Sequence, residues 1–183
     1  MLRAVLGLSI SRTIQMRIFK NLCVLILMLS AANGAAIEDG DSFGNWLVRC
    51  GPGESEIDQG CFLFQNLVLK EGGQRVLQVA VGFVDRASEP IALLSLPLGI
   101  SLPPGATMSI DGKQKHDLQI ERCESNGCRA GLKLSTNLLD RFRTGDALSV
   151  VFHDSKRRPI EVPLSLDGFA AGYDALFADR DAS

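Results

Sequence analysis

The chain has 183 residues, 46% of them hydrophobic, with 19 Lys and Arg against 21 Asp and Glu and a formal charge of −2. That length suits one ordinary domain with a real core, and the charge balance excludes chains that bind nucleic acid through a strong basic excess. No unit repeats and no tract is of low complexity, which excludes solenoid and disordered architectures.

The N-terminus comes first. Residues 22–29 read LCVLILML, a short apolar run preceded by Arg17 and Lys20 and followed by SAANGAA. Basic region, apolar core and small-residue cleavage region in that order predict a secretory signal peptide over residues 1–36. The run is shorter than the roughly 20 residues a membrane span needs, so a retained anchor is the weaker alternative. Met16 opens a segment that is already a complete signal, and the true start can lie there. Cleavage after Gly34 or after Ala36 satisfies the small-residue rule, with Ala36 favoured. Removing four basic residues and no acidic ones leaves 15 against 21 over residues 37–183, a net of −6. An acidic domain of this kind has no overall electrostatic drive toward nucleic acid or an anionic membrane.

Gly, Pro, Asn or Asp then punctuate the chain every 8–12 residues, the rhythm of an antiparallel sandwich or barrel. Asn45–Cys50 alternates, placing Trp46, Val48 and Cys50 on one inward face. Phe62–Leu69 and Val76–Val84 follow, separated by the turn EGGQ. Leu77, Val79, Val81 and Phe83 form the apolar face of the second. Ile91–Leu96 is nearly all apolar, as expected of a strand covered on both sides. After a Pro-Gly-rich stretch come Ala106–Ile110, the hairpin dipeptide Asp111-Gly112, and His116–Cys123 with Leu118 and Ile120 inward. ESNG turns the chain into Arg129–Leu134. Ser135 or Thr136 caps a short helix carrying Leu138, Leu139 and Phe142 and closed by Gly145. Ala147–His153 and Pro159–Leu166 pair around DSKR. Phe169, Tyr173, Leu176 and Phe177 mark a terminal helix with one apolar face.

Cys23 departs with the leader, which leaves Cys50, Cys61, Cys123 and Cys128. An even number behind a signal peptide implies disulfides. Three pairings are possible, and local spacing favours Cys50–Cys61 with Cys123–Cys128. Zinc is the poorer account, because the spacings miss the usual tight knuckles and only two histidines are present. The predicted fold is a single all-β, antiparallel β-sandwich-like domain with two short helices and two local disulfides.

Chemistry is sparse. His116 and His153 sit in predicted strands with no nucleophile motif beside them, and no cysteine remains free to attack. Glu54, Glu56 and Asp58 form an acidic loop that lacks a calcium-loop pattern and reads as solvated. Lys156, Arg157 and Arg158 are the one basic run. At a hairpin turn such a run is usually just hydrated, and it is also the best candidate contact for a partner. The residues predict no catalytic site, no metal and no cofactor.

FGNWLVRC, C-x-x-x-Q at 61–65, PLGISLPPGATMSIDG at 97–112, CESNGCRA at 123–130 and VPLSLDGF at 162–169 occur in that order. Together they resemble the invasion-associated locus B family of exported proteobacterial proteins, from Phe43 to Phe177. The resemblance implies a non-enzymatic interaction protein that is periplasmic, surface-associated or secreted and contributes to host-cell contact or invasion. It supplies no catalytic residues. The partner expected is a protein in the envelope or on a host surface, with no nucleic acid and no membrane insertion after leader cleavage. The alternatives are a periplasmic structural or stress protein, and a carrier of a small ligand in a cavity between sheets.

Overall fold

The computed structural model describes residues 37–51, 60–84 and 87–182. The leader, its cleavage region, Cys23 and the acidic loop Glu54–Asp58 lie outside the described residues.

Among the described residues ten strands form one antiparallel sheet: β1 (Ser42–Phe43), β2 (Trp46–Cys50), β3 (Cys61–Val68), β4 (Arg75–Gly82), β5 (Ile91–Leu96), β6 (Ala106–Ile110), β7 (His116–Glu124), β8 (Gly127–Lys133), β9 (Ala147–His153) and β10 (Pro159–Ser165). Their order across the sheet is β1-β2-β3-β4-β5-β8-β7-β6-β9-β10. The described residues also form two helices, α1 (Thr136–Thr144) and α2 (Phe169–Ala182). The expected all-β domain with two helices is therefore present, with a half-barrel character: its two layers are parts of one sheet.

The two layers join on β7. His116–Leu118 pair with β6, whereas Gln119–Glu124 pair with β8. Between Ile120 and Arg122 the register shifts, leaving Glu121 without an opposed residue. An extra residue in one strand bends it and increases its twist, which folds the sheet over itself here.

Alternation put the right residues inside. Leu77, Val79 and Val81 are completely buried, and Met108, Leu148, Val150 and Phe152 reach the same core from the other layer. Trp46, Phe142 and Phe169 occupy the space between, with Trp46 and Phe169 edge to face at 5.0 Å. Strand β5 is apolar on both sides for a different reason on each. Ala92, Leu94 and Leu96 face the core, while Ile91 and Leu93 pack on a second cluster of Phe62, Phe64 and Ala80 on the opposite face.

Local geometry follows the turn chemistry. Asp111 and Gly112 both have positive φ, 50° and 64°, the conformation a tight two-residue hairpin turn needs. Gly168 has φ 85°, and a Cβ there would stand 2.0 Å from the carbonyl oxygen of Phe43. Only glycine lets the chain turn from β10 into α2 against β1.

Candidate functional site

Both disulfides join directly opposed residues of neighbouring strands. Cys50–Cys61 and Cys123–Cys128 have Cα–Cα distances of 4.0 and 3.9 Å. The bridges sit at opposite ends of the strands. Cys50 and Cys61 flank residues 51–60, and Cys123 and Cys128 flank the β7–β8 turn.

The basic run occupies the β9–β10 turn, where one carboxylate organises it. Asp154 Oδ1 accepts hydrogen bonds from the backbone N–H of Lys156 at 2.8 Å and of Arg158 at 2.9 Å. Its Oδ2 accepts from the Arg158 guanidinium at 2.7 Å. The Asp154 carboxyl is held below its ordinary pKa, chiefly by the Arg158 N–H and further by the Arg158 side chain and the Lys156 N–H. Arg157 adopts φ 61°, which the surrounding hydrogen bonds hold in place. The three cations are therefore not equivalent. Arg158 is neutralised by Asp154, whereas Lys156 and Arg157 are exposed with no ion pair among the described residues. The sequence singled out the cations; it gave no signal for the aspartate that sorts them beyond an Asx residue two positions before a turn N–H.

Neighbouring turns share this end of the sheet. The β5–β6 connection, residues 97–105, is tied to it by Ser101, whose N–H donates to the His153 carbonyl at 2.9 Å. A cleft of about 240 Å³ lies between that connection and the β3–β4 and β7–β8 turns, lined by Gln74, Arg75, Leu96, Pro97, Leu98, Ser125 and Asn126. Arg75 crosses it to donate to the Asn126 carbonyl and, at 3.2 Å, to Gln78.

The two histidines are not brought together. His116 starts β7 in a polar cleft of about 400 Å³ beside Ser135, Asp140 and Arg141. His153 ends β9 at the other end of the strands, and its Nδ1 is enclosed without a hydrogen-bond partner. Among the described residues no three His, Cys, Asp or Glu side chains converge on a point where a metal ion could sit. No described helix is long and apolar enough to cross a membrane.

A tighter constellation lies at the seam between β1–β2 and β10. Gln65, only 8% exposed, donates to the carbonyls of Asn45 at 3.0 Å and Ser165 at 3.1 Å. The Ser165 carbonyl also accepts from Trp46 Nε1 at 3.2 Å, and the Asn45 N–H donates to the Asp167 carbonyl at 3.1 Å. Three of the sequence blocks, FGNW, C-x-x-x-Q and SLDGF, thus meet in one structural clamp. These residues join β1–β3 to the end of β10.

Comparison with known proteins agrees with this architecture. The chain is 28% identical over 167 residues to an invasion protein B homolog of Brucella abortus strain 2308, covering 87% of this chain and 91% of that protein. It is equally similar to the homolog from B. abortus biovar 1 strain 9-941. The crystal structure of invasion associated protein B from Bartonella henselae superimposes with a TM-score of 0.67 at 21% identity, covering 78% of this chain and 97% of that one, which establishes the common fold. The model of the invasion associated locus B (IalB) protein family matches residues 46–177, and the chain belongs to that family.

Proposed function

We propose that this chain is an exported, non-enzymatic interaction protein of the bacterial envelope that contributes to contact with a host cell. Its working part is the domain from residue 37 onward, released into the periplasm and partly displayed at the surface. Family membership supports the association with invasion. The observation that carries the mechanism is the β9–β10 turn, where Asp154 fixes the backbone and absorbs Arg158 so that Lys156 and Arg157 project as an ordered pair of cations. Ordering before binding lowers the entropy lost on contact. A rigid sheet stapled by two disulfides is a sound carrier for such a turn outside the cell.

The test is retention on intact envelope and on host-cell surfaces. Wild-type protein is compared with the Lys156→Glu/Arg157→Glu variant and with Lys113→Glu/Lys115→Glu at the β6–β7 turn. Loss of retention for the first pair alone supports the reading. Equal retention of all three sinks it.

A further inference from the structure

The β9–β10 turn is one part of a larger surface whose composition differs from the rest of the domain. Four connections meet at this end: residues 69–74, 97–105, 124–127 and 154–158. Within two positions of them the sequence places seven Lys and Arg against three Asp and Glu, in a chain that is acidic overall. Net charge averages over the chain; the fold gathers the cations at one end.

The same end carries exposed aliphatic side chains. Val68, Leu69, Leu98 and Leu102 are 57, 50, 54 and 49% exposed, and with Ile160 beside the turn they make up five of the seven exposed large hydrophobic residues described. The register explains part of the gathering: Val68 opposes Arg75, and continuing the β4–β5 pairing places Leu98 next in that row. Ser101, bonded to His153, places Leu102 near the Asp154–Arg158 turn. Aliphatic tips on separate turns, interspersed with cations of which Lys156 and Arg157 are exposed and have no ion pair among the described residues, are the chemistry of a lipid–water interface. Leucines enter the boundary between headgroups and acyl chains while Lys and Arg stay with the phosphates.

We infer that this end docks peripherally on an anionic lipid surface, with Leu98 and Leu102 as shallow insertions and Lys156 and Arg157 as phosphate contacts. The inference rests on the reading of the β9–β10 turn as a contact surface and names its partner class. Charge complementarity selects an anionic membrane over a neutral one. Insertion at the depth of a side chain needs no membrane-spanning element.

Flotation with vesicles decides it, using protein purified from the envelope of expressing bacteria. Vesicles of phosphatidylcholine with phosphatidylglycerol should carry the protein up the gradient, and pure phosphatidylcholine should bind it at least about tenfold more weakly. Lys156→Glu/Arg157→Glu and, separately, Leu98→Asp/Leu102→Asp should each lower binding about tenfold or more, with Lys113→Glu/Lys115→Glu as the unaffected control. Binding should also weaken as salt rises from about 0.05 to about 0.5 M. Unchanged circular dichroism and intact disulfides in each variant confirm that folding is not the cause. Absence of flotation on anionic vesicles overturns the inference, as does binding indifferent to both substitution pairs. If vesicles fail while the Lys156/Arg157 pair still governs retention on envelope, the contact surface stands and its partner is a protein. If neither assay responds to that pair, the reading of the turn as a contact falls as well.

Discussion

Trp46 and Ser165 are 119 residues apart in the chain and joined by a hydrogen bond from the indole Nε1 to the backbone carbonyl, 3.2 Å long. That bond links the second strand to the end of the tenth, and the ring beneath it is completely buried. Trp46→Ala should cost about 3–5 kcal/mol, as for other large core aromatics. Trp46→Phe keeps much of the packing and loses the donor, and should cost less. Urea titration measures both. Trp46 is the only tryptophan, so native emission should be that of a shielded indole, and a solvent-like spectrum would contradict this placement.

Gln65 offers a sharper test of the same seam. Its amide donates to two carbonyls that share no other described side-chain donor except Trp46. Gln65→Leu should cost about 1–3 kcal/mol, because the Asn45 carbonyl loses its side-chain donor and the Ser165 carbonyl keeps only that of Trp46. Gln65→Glu should be worse at neutral pH, because an ionised carboxylate would face two carbonyl oxygens, and should recover on acidification as the carboxyl protonates. A Gln65→Glu variant whose stability fails to rise between about pH 7 and about pH 5 would disprove the account.

The disulfides should contribute unequally. The chain-entropy relation assigns about 3 kcal/mol to the bridge closing 11 residues and about 2 kcal/mol to the one closing 5. Replacing Cys50 and Cys61 together by Ser should therefore lower stability more than replacing Cys123 and Cys128 together. Non-reducing peptide mapping checks the pairing in the wild type.

Acid should loosen three places at once. Asp39, Asp111 and Asp154 all have carboxyl groups held below their ordinary pKa, in each case first by a backbone N–H: that of Cys50, Ala147 and Arg158 respectively. A carboxyl whose folded pKa lies below its unfolded one stabilises the fold fully above the unfolded value. That stabilisation is lost as pH falls through the folded value, so the loss begins near about pH 4 and deepens below it. Asp111→Asn should lower stability at pH 7 and flatten the decline below about pH 4. A decline as steep as that of the wild type would remove Asp111 from the explanation.

Export itself has a direct readout. Intact-mass analysis of protein recovered outside the cytoplasm should give an N-terminus at or within a few residues of Ile37, because only there do small residues follow the apolar run. Full-length chain held in membranes through carbonate washing would establish an uncleaved anchor instead.

Much of this fold was written locally. The period-2 run Leu77–Phe83, the Asp111-Gly112 turn and the short interval from Cys123 to Cys128 each depend on neighbours a few residues away, and each formed as expected. What could not be read depends on distant partners. Nothing near Glu121 announces that β7 divides its pairing between β6 and β8. One glutamine among several gives no sign that it will clamp Asn45 to Ser165. The outward apolar side of β5 was visible, but its neighbours Phe62, Phe64 and Ala80 come from β3 and β4 through register. For the proposed contact surface, the cations were legible as a run. Their partition into one paired and two free required the Asp154 geometry, and their grouping with Leu98 and Leu102 required the topology.

The position of α2 has a consequence for timing. Phe169, Tyr173 and Leu176 belong to the same core as Leu63 and Val79, yet they follow every strand in the chain. A nascent chain that has made all ten strands still lacks three of its buried side chains and the element that packs on β1–β3. Long-range pairing is slow because loop closure precedes its reward, and here the reward arrives last. The core therefore cannot close until the last helix has been made, and a chain ending before Phe169 should lack the packing that holds β1–β3.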